Sequence, residues 1–271
     1  MTADLPRAER AVHARSLLAL AAARAAGLPG VLDGGEVDGL RFTLCTSPGL
    51  AFLTGVTGVD ADTVGALPGL LAALAGRGAE VVGVVGSPEV SPVLEELGLR
   101  RTAPRPIGVR AVGDADRAPR AGQSVTAPPV PGPPATALPV TRDDPAFLDV
   151  LVAGYGGDEA VRRFLAAEHA DVRVRGFVAR PDGVPVAAAA LSLHGDVAVL
   201  GGSSTLPAHR GRGGQTALLH ARLAAACGAG ATLATATAAP GSPSARNLAQ
   251  AGSTVHERPA WTAGRAGGPP S

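Results

Sequence analysis

The residues of this chain whose types and spacing point most directly to chemistry run from Thr205 to Leu219, TLPAHRGRGGQTALL. An apolar stretch ends at Leu206-Pro207, and Gly211, Gly213 and Gly214 then lead straight into a helical pattern. The first turn of a helix offers backbone N–H groups without intrahelical partners at the positive end of the helix dipole, so an oligophosphate is held there by several donors at once. Glycines in the turn keep Cβ atoms clear of the phosphate oxygens and permit positive φ. Arg210 and Arg212 add fixed positive charge and fork-shaped donors. Other phosphate-binding signatures fit poorly. A Walker loop needs a lysine, and this chain has none. A dinucleotide fingerprint from Gly211 needs Gly or Ala where Thr216 stands, and an acid about 20 residues on, where the chain reads Gly230-Ala231-Thr232.

The stretch resembles the acetyl-CoA loop of the GNAT acetyltransferase superfamily, Gln/Arg-x-x-Gly-x-Gly/Ala after a strand. Arg210 and Gly213 match, while the last motif position is Gln215. The segment GSPSARNLAQAG, Gly241 to Gly252, is similar to the family's next cofactor-contacting segment, in which Asn247 would approach the pantetheine arm. The resemblance spans Ala135 to Ala263. It implies acetyl-CoA as acyl donor, an amine as acceptor, and a binding set of Thr205, Leu206, Arg210, Gly211, Arg212, Gly213, Gly214, Gln215, Thr216 and Asn247. The implied fold class is α/β: a tandem GNAT-like arrangement, mixed mostly antiparallel sheet flanked by helices.

Length and composition agree with two domains. A chain of 271 residues suits one large or two ordinary cores. The hydrophobic fraction of 46% comes with only five Phe, one Trp and one Tyr, so small side chains must fill those cores. A formal net charge of +1 gives no reason to expect nucleic acid or an anionic membrane as partner. Cys45 and Cys227 lack metal-ligand spacing and a plausible mutual disulfide, and no metal is expected; a reducing cytoplasm is the expected compartment. Leu17 to Ala23 imitates a short signal peptide, but Asp4 and Glu9 stand where such a peptide is free of acids. No apolar run reaches the length of a membrane span.

The elements that must hold the loop follow in order. Arg7 to Ala26 is a helix of strong formers stopped by Gly27 and Pro29. Leu40 to Leu44 and Leu50 to Val59 read as strands around Ser47-Pro48-Gly49. Asp62 opens a helix interrupted by Pro68; Glu80 to Val85 is a strand, and Pro92 to Leu97 a helix closed by Gly98. Residues 71–84 align without gaps on 223–236, and helix, strand, Ser-Pro turn, helix and Gly recur in both halves. The N-terminal half, residues 1–112, therefore reads as a degenerate GNAT-like copy. Asp60 and Asp62 stand where its phosphate loop would be, so its role reads as structural or as one wall of the substrate cleft.

Residues 113–134 form a Pro-rich linker, and 135–271 the GNAT domain. Pro145 opens a helix, Glu159 to Ala170 makes a second, and the resemblance places the loop between them, Gly154 to Asp158, beside the acceptor pocket; Tyr155 on it reads equally as a pocket-lining residue or a surface aromatic. Val172 to Arg180 and Val184 to Leu193 pair across Pro181-Asp182-Gly183. Val197 to Leu206, Leu233 to Thr237 and Val255 to Thr262 are the remaining strands, Ser244 to Gln250 is a helix, and Trp261 caps the core.

The implied reaction is direct acyl transfer to an amine, and the attacking amine must be neutral. For a lysine-like amine at pH 7 that costs about 4.6 kcal/mol. Many family members place a carboxylate on the strand before the loop, but here it reads Gly201-Gly202-Ser203-Ser204-Thr205. The resemblance offers the thioester carbonyl a backbone N–H near Leu206. The family's helix tyrosine, a proton donor to the leaving thiolate, is replaced by Leu248, with His256 as a candidate substitute; His194, in a turn, reads as solvent-facing. No catalytic acid or base is assigned. The alternative is a non-catalytic GNAT-like module that binds CoA or a protein.

Overall fold

The computed structural model describes residues 4–117, 137–139, 144–156 and 158–264. Helix α1 (Asp4–Ala25) ends where Gly27 turns at φ +73°. A hairpin follows, β1 (Leu32–Val37) against β2 (Leu40–Cys45), through Asp38 and Gly39 at φ 49° and 80°, the pair of left-handed residues a tight hairpin turn demands. The sequence reading missed β1, because LDGGEV has little strand propensity. Its glycines supply room instead. A Cβ on Gly34 would lie 2.5 Å from Leu17 Cδ2, so α1 presses directly on the strand.

Strand β3 (Gly55–Val59) starts late because Ala51–Leu53 forms a 3-10 turn. Helix α2 (Leu67–Gly76) has Pro68 in its first turn, where a missing N–H costs nothing. Pro68 thus opens this helix and does not interrupt one begun at Asp62, whose own N–H is held by Asp60 Oδ1 at 3.0 Å. Then come β4 (Val81–Gly86), α3 (Ser91–Glu96), β5 (Arg100–Thr102) and β6 (Ile107–Ala111). Asp114–Asp116 is a 3-10 turn held by Arg110, whose Nη2 donates to Asp116 Oδ1 at 2.9 Å. Of the expected linker, 113–134, the start up to 117 carries this turn and 118–134 lie outside the described residues, as does the tail beyond 264.

The second half contains β7 (Ala137–Pro139), α4 (Pro145–Tyr155), α5 (Glu159–Ala170), β8 (Val174–Ala179), β9 (Ala187–His194), β10 (Val197–Val199) and β11 (Ser204–Thr205). It continues with α6 (Gly214–Gly228), β12 (Leu233–Thr237), α7 (Pro243–Gln250), β13 (Thr254–His256) and β14 (Ala260–Gly264). Asp144 and Asp158 cap α4 and α5 by accepting the N–H groups of Ala146 and Val161, each at 3.0 Å.

Two mixed sheets result, with strand orders β1-β2-β3-β4-β14-β5 and β13-β6-β12-β10-β9-β8-β7; β11 pairs β9. Among the described residues only β3–β4 and β10–β12 run parallel. Each sheet borrows a strand. β6, from the first half, lies between β12 and β13, while β14, the last strand, lies between β4 and β5. The expected single strand Val255 to Thr262 is therefore two strands in different sheets, parted at Glu257-Arg258-Pro259. Trp261, 1% exposed, is buried with Leu40, Leu44 and Leu94, so it fills the core of the first sheet and not that of its own half. Helix α1 ties the halves further: Glu9 reaches both Arg41 (3.2 Å) and Arg258 (3.3 Å), and Arg15 pairs with Glu168 (2.8 Å).

Candidate functional site

The two sheets differ at one place. In the first, β3 and β4 shift register after Val56 but pair again at Val59 and Gly86, and Ser87 N–H still reaches Val59 O at 2.8 Å. In the second, β10 pairs with β12 through Val199, Leu200 N–H bonds Thr235 O at 2.8 Å, and there the pairing stops. β11 bonds only β9, in the register Ser204 to Ala188 and Thr205 to Ala187. Successive peptide groups of a strand point to opposite edges. The Leu206 N–H donates to Val186 O at 2.9 Å, so Thr205 turns its N–H and C=O to the other edge, which β12 leaves open. The Leu206 N–H itself is bonded within the sheet, and the unpaired N–H near it is that of Thr205.

The Gly-rich loop continues from this free edge. Gly211 and Gly213 sit at φ 76° and 78°, and a Cβ on either would meet nothing within 4 Å. Gly213 is the N-cap of α6 and lends no side chain to it, which leaves the first-turn N–H groups without a capping group. Arg210 and Arg212 are exposed, and Arg210 Nε approaches Thr205 O at 3.4 Å. Gly214 is buried because a Cβ there would touch Ala187 Cβ at 3.3 Å, the contact that brings the helix down on β9. The Gln215 side chain straps the loop to the open strand. Its Nε2 donates to Ser204 O (2.7 Å) and Thr205 Oγ1 (2.9 Å), and its Oε1 accepts from Ser203 Oγ. A glycine or alanine at that position could make none of these bonds. Thr216 is half-buried in the first turn, and Asn247 is half-buried on α7, which follows β12.

The last turn of α4 closes the other end of the open edge. Gly154 touches β11 so tightly that a Cβ would lie 2.2 Å from Ser204 Oγ, and the Ser204 hydroxyl donates to Val150 O at 2.7 Å. That docking carries Tyr155 over the break, where its hydroxyl accepts the Ser203 N–H at 3.1 Å. Beneath the break lies His169, 8% exposed, in tilted contact with Phe147 at 5.2 Å. A Cβ on Gly202 would fall 2.9 Å from His169 Nε2, so only glycine fits there. Nδ1 bonds Leu165 O at 2.7 Å, burial holds the ring below its usual pKa, and the sealed Nε2 has no polar partner among the described residues. Arg222 of α6 enters from the opposite face, donating from Nη1 to Ala190 O at 3.3 Å and from Nε to Leu218 O at 3.1 Å. Burial pushes its guanidinium down to about 10, which leaves it a cation at neutral pH.

Sequence reasoning missed His169 and Arg222, and it read Gly154 and Tyr155 as loop, whereas they form the last turn of α4. Other candidates lie elsewhere. Leu248, 5% exposed, packs in the core under Gly108. His256 is on β13, two strand spacings or about 10 Å from β12, and the break lies beyond β12. His194 sits at the far end of β9, half-buried, with Nε2 on Ser192 Oγ at 2.9 Å; burial lowers it to about 4. Among the described residues no cluster of three or more His, Cys, Asp or Glu could hold a metal, and no helix is long and apolar enough to cross a membrane.

Residues 146–252 match the model of the acetyltransferase (GNAT) family. This segment is a GNAT domain. The match takes in α4, the open edge, the Gly-rich loop and α7. Solved structures show the same fold over nearly the whole chain. A GCN5-related N-acetyltransferase from Kribbella flavida aligns at a TM-score of 0.59 and 23% identity, over 91% of this chain and 96% of its own. A tandem GNAT protein from the clavulanic acid biosynthesis pathway aligns at 0.56 and 18% identity, over 93% of each chain. A GCN5-related N-acetyltransferase from Sphaerobacter thermophilus aligns at 0.56 and 17% identity, over 83% and 76%. No curated protein matches the chain. The architecture is thus a tandem GNAT fold, in which the GNAT domain keeps its strands parted and the N-terminal half closes them.

Proposed function

We propose that the GNAT domain transfers an acetyl group from acetyl-CoA to an amine of a small molecule or peptide. One observation carries this reading: a strand edge without a partner lies next to an uncapped helix N-terminus. A pantetheine arm carries peptide-like amides, which suit the Thr205 N–H and C=O on that edge, with Leu206 and Asn247 flanking it. A pyrophosphate suits the N–H groups of Gly214, Gln215 and Thr216, with Arg210 and Arg212 adding charge and Gly211 and Gly213 leaving the backbone bare. The Gln215 side chain is already bonded, so it serves by holding Ser203 to Thr205 in place. In the N-terminal half the paired β3 and β4 leave no equivalent edge, which supports a structural role for it.

Acetyl-CoA would supply the activated acyl group. The chain's own part is to orient it, to exclude water, and to present hydrogen-bond donors to the carbonyl oxygen. The test is calorimetric titration with acetyl-CoA beside a Gly213→Glu variant, which puts bulk and negative charge into the loop. Saturable one-site binding lost in the variant supports the reading, and a folded wild-type protein that does not bind refutes it. The second reading, a module that binds without turnover, is favoured by one observation: Leu248 is buried core where the family's usual acid would stand. Thiol release across a panel of amines separates the two.

A further inference from the structure

We infer that Tyr155 is a catalytic hydrogen-bond donor of this site, its hydroxyl directed at the carbonyl oxygen of the bound thioester. The inference rests on the proposed acetyl-CoA reading and adds a side chain to it.

The open edge can spare few donors. Of the N–H groups near the end of the strand, that of Leu206 is spent on Val186. The Ser203 N–H, at the break itself, is covered by the Tyr155 hydroxyl at 3.1 Å. With the Thr205 N–H given to the pantetheine arm in the proposed reading, a carbonyl oxygen arriving beside Ser203 meets a phenol before it meets the backbone. The phenol oxygen accepts the amide proton, and that bond polarises its own O–H toward a further acceptor. Among the described residues the hydroxyl makes only this one bond, so its proton is free to donate.

Position and protonation both favour that role. The docking of Gly154 on Ser204 fixes the last turn of α4, so Tyr155 is placed by packing and not by a flexible loop. Tyr155 is 51% exposed, which leaves room beside it for an incoming acceptor. Burial of the hydroxyl, with the nearby Glu168 carboxylate adding to it, raises the phenol above its usual pKa, which keeps the proton on oxygen at neutral pH. During transfer the amine nitrogen bonds to the thioester carbon, negative charge gathers on the carbonyl oxygen, and the C–S bond then breaks. CoA leaves as thiolate, and the surplus amine proton passes to solvent. Tyr155 neither gains nor loses a proton; it stabilises the oxygen charge from a preorganised position.

Tyr155→Phe removes the hydroxyl and keeps the ring. The probe is acetyl-CoA labelled with 13C at the carbonyl, followed by NMR on the wild-type and variant full chains. A hydrogen bond to the carbonyl moves the bound 13C resonance downfield of free acetyl-CoA. The expected result is such a shift in the wild type, largely lost in Tyr155→Phe, with the dissociation constant changed less than about threefold and turnover on any accepted amine lowered on the order of a hundredfold. A shift that persists in the variant, or is absent from the wild type, overturns the inference. So does a variant that loses binding outright, which would make Tyr155 a binding residue. A folded wild type that does not bind acetyl-CoA at all refutes the cofactor reading itself, a failure distinct from the other three.

Discussion

Replacing Gly154 with alanine tests whether contact between α4 and β11 holds the site together. The new Cβ would stand 2.4 Å from Ser204 Cβ and 2.2 Å from its Oγ, more than ~1 Å inside ordinary contact. Neither atom is the far end of a long side chain, so α4 must withdraw or Ser204 must rotate and give up its 2.7 Å bond to Val150 O. Overpacking of this kind costs about 1–3 kcal/mol and the lost hydrogen bond about 1 kcal/mol, against a helix-propensity gain of about 1 kcal/mol for Gly→Ala. The net loss is about 1–3 kcal/mol, a fall in melting temperature of about 3–10 °C. Urea denaturation of Gly154→Ala, Ser204→Gly and the double variant gives a complete cycle. Ser204→Gly removes both clashing atoms and leaves Thr205 N at 3.3 Å, so the double variant should recover at least about 1 kcal/mol relative to additivity. Strictly additive effects, or a Gly154→Ala variant as stable as wild type, would refute the packing argument.

Two further predictions concern the whole chain. Truncation after Pro259 removes β14 from between β4 and β5 and exposes Trp261's cavity, so the N-terminal sheet should lose cooperative unfolding; retention of the wild-type thermal transition would contradict the strand order. His13, His169 and His194 are all held below the ordinary imidazole value of 6.5 by burial, His194 at about 4. The unfolded chain takes up these protons near pH 6.5 while the folded chain resists, so stability should fall as pH drops from about 6.5 toward 4. Melting temperatures across that window should decline less steeply in His194→Asn, and an identical slope would show that His194 contributes nothing.

The local chemistry of this chain was legible where backbone geometry leaves a composition signature. The Gly-rich loop, the helix starts at Pro145 and Asp158, and the repeat of α2, β4 and α3 in α6, β12 and α7 could all be read directly. Strand β1 could not, because Gly34 is present for the sake of Leu17, a contact invisible to local propensity. The crossing of β6 and β14 left no trace either. A short strand reads the same whichever sheet accepts it, and only the tertiary register decides. At the site, the loop glycines announced themselves, whereas Arg222 and His169 looked like ordinary residues of amphipathic helices. Their importance comes from a sheet break that four non-periodic residues, Leu200 to Ser203, create only in three dimensions.

The borrowed strands also set a schedule for making the protein. β14 joins β4 and β5 across about 160–180 residues of chain, among the longest loops to be closed before contacts repay the entropy. On a ribosome, the first sheet emerges early with a gap between β4 and β5 and waits, those two edges unpaired, until β14 is released. Such edges attract foreign strands. The nascent N-terminal half is therefore the stage at which this protein most needs a chaperone, and the arrival of β14 decides when that need ends.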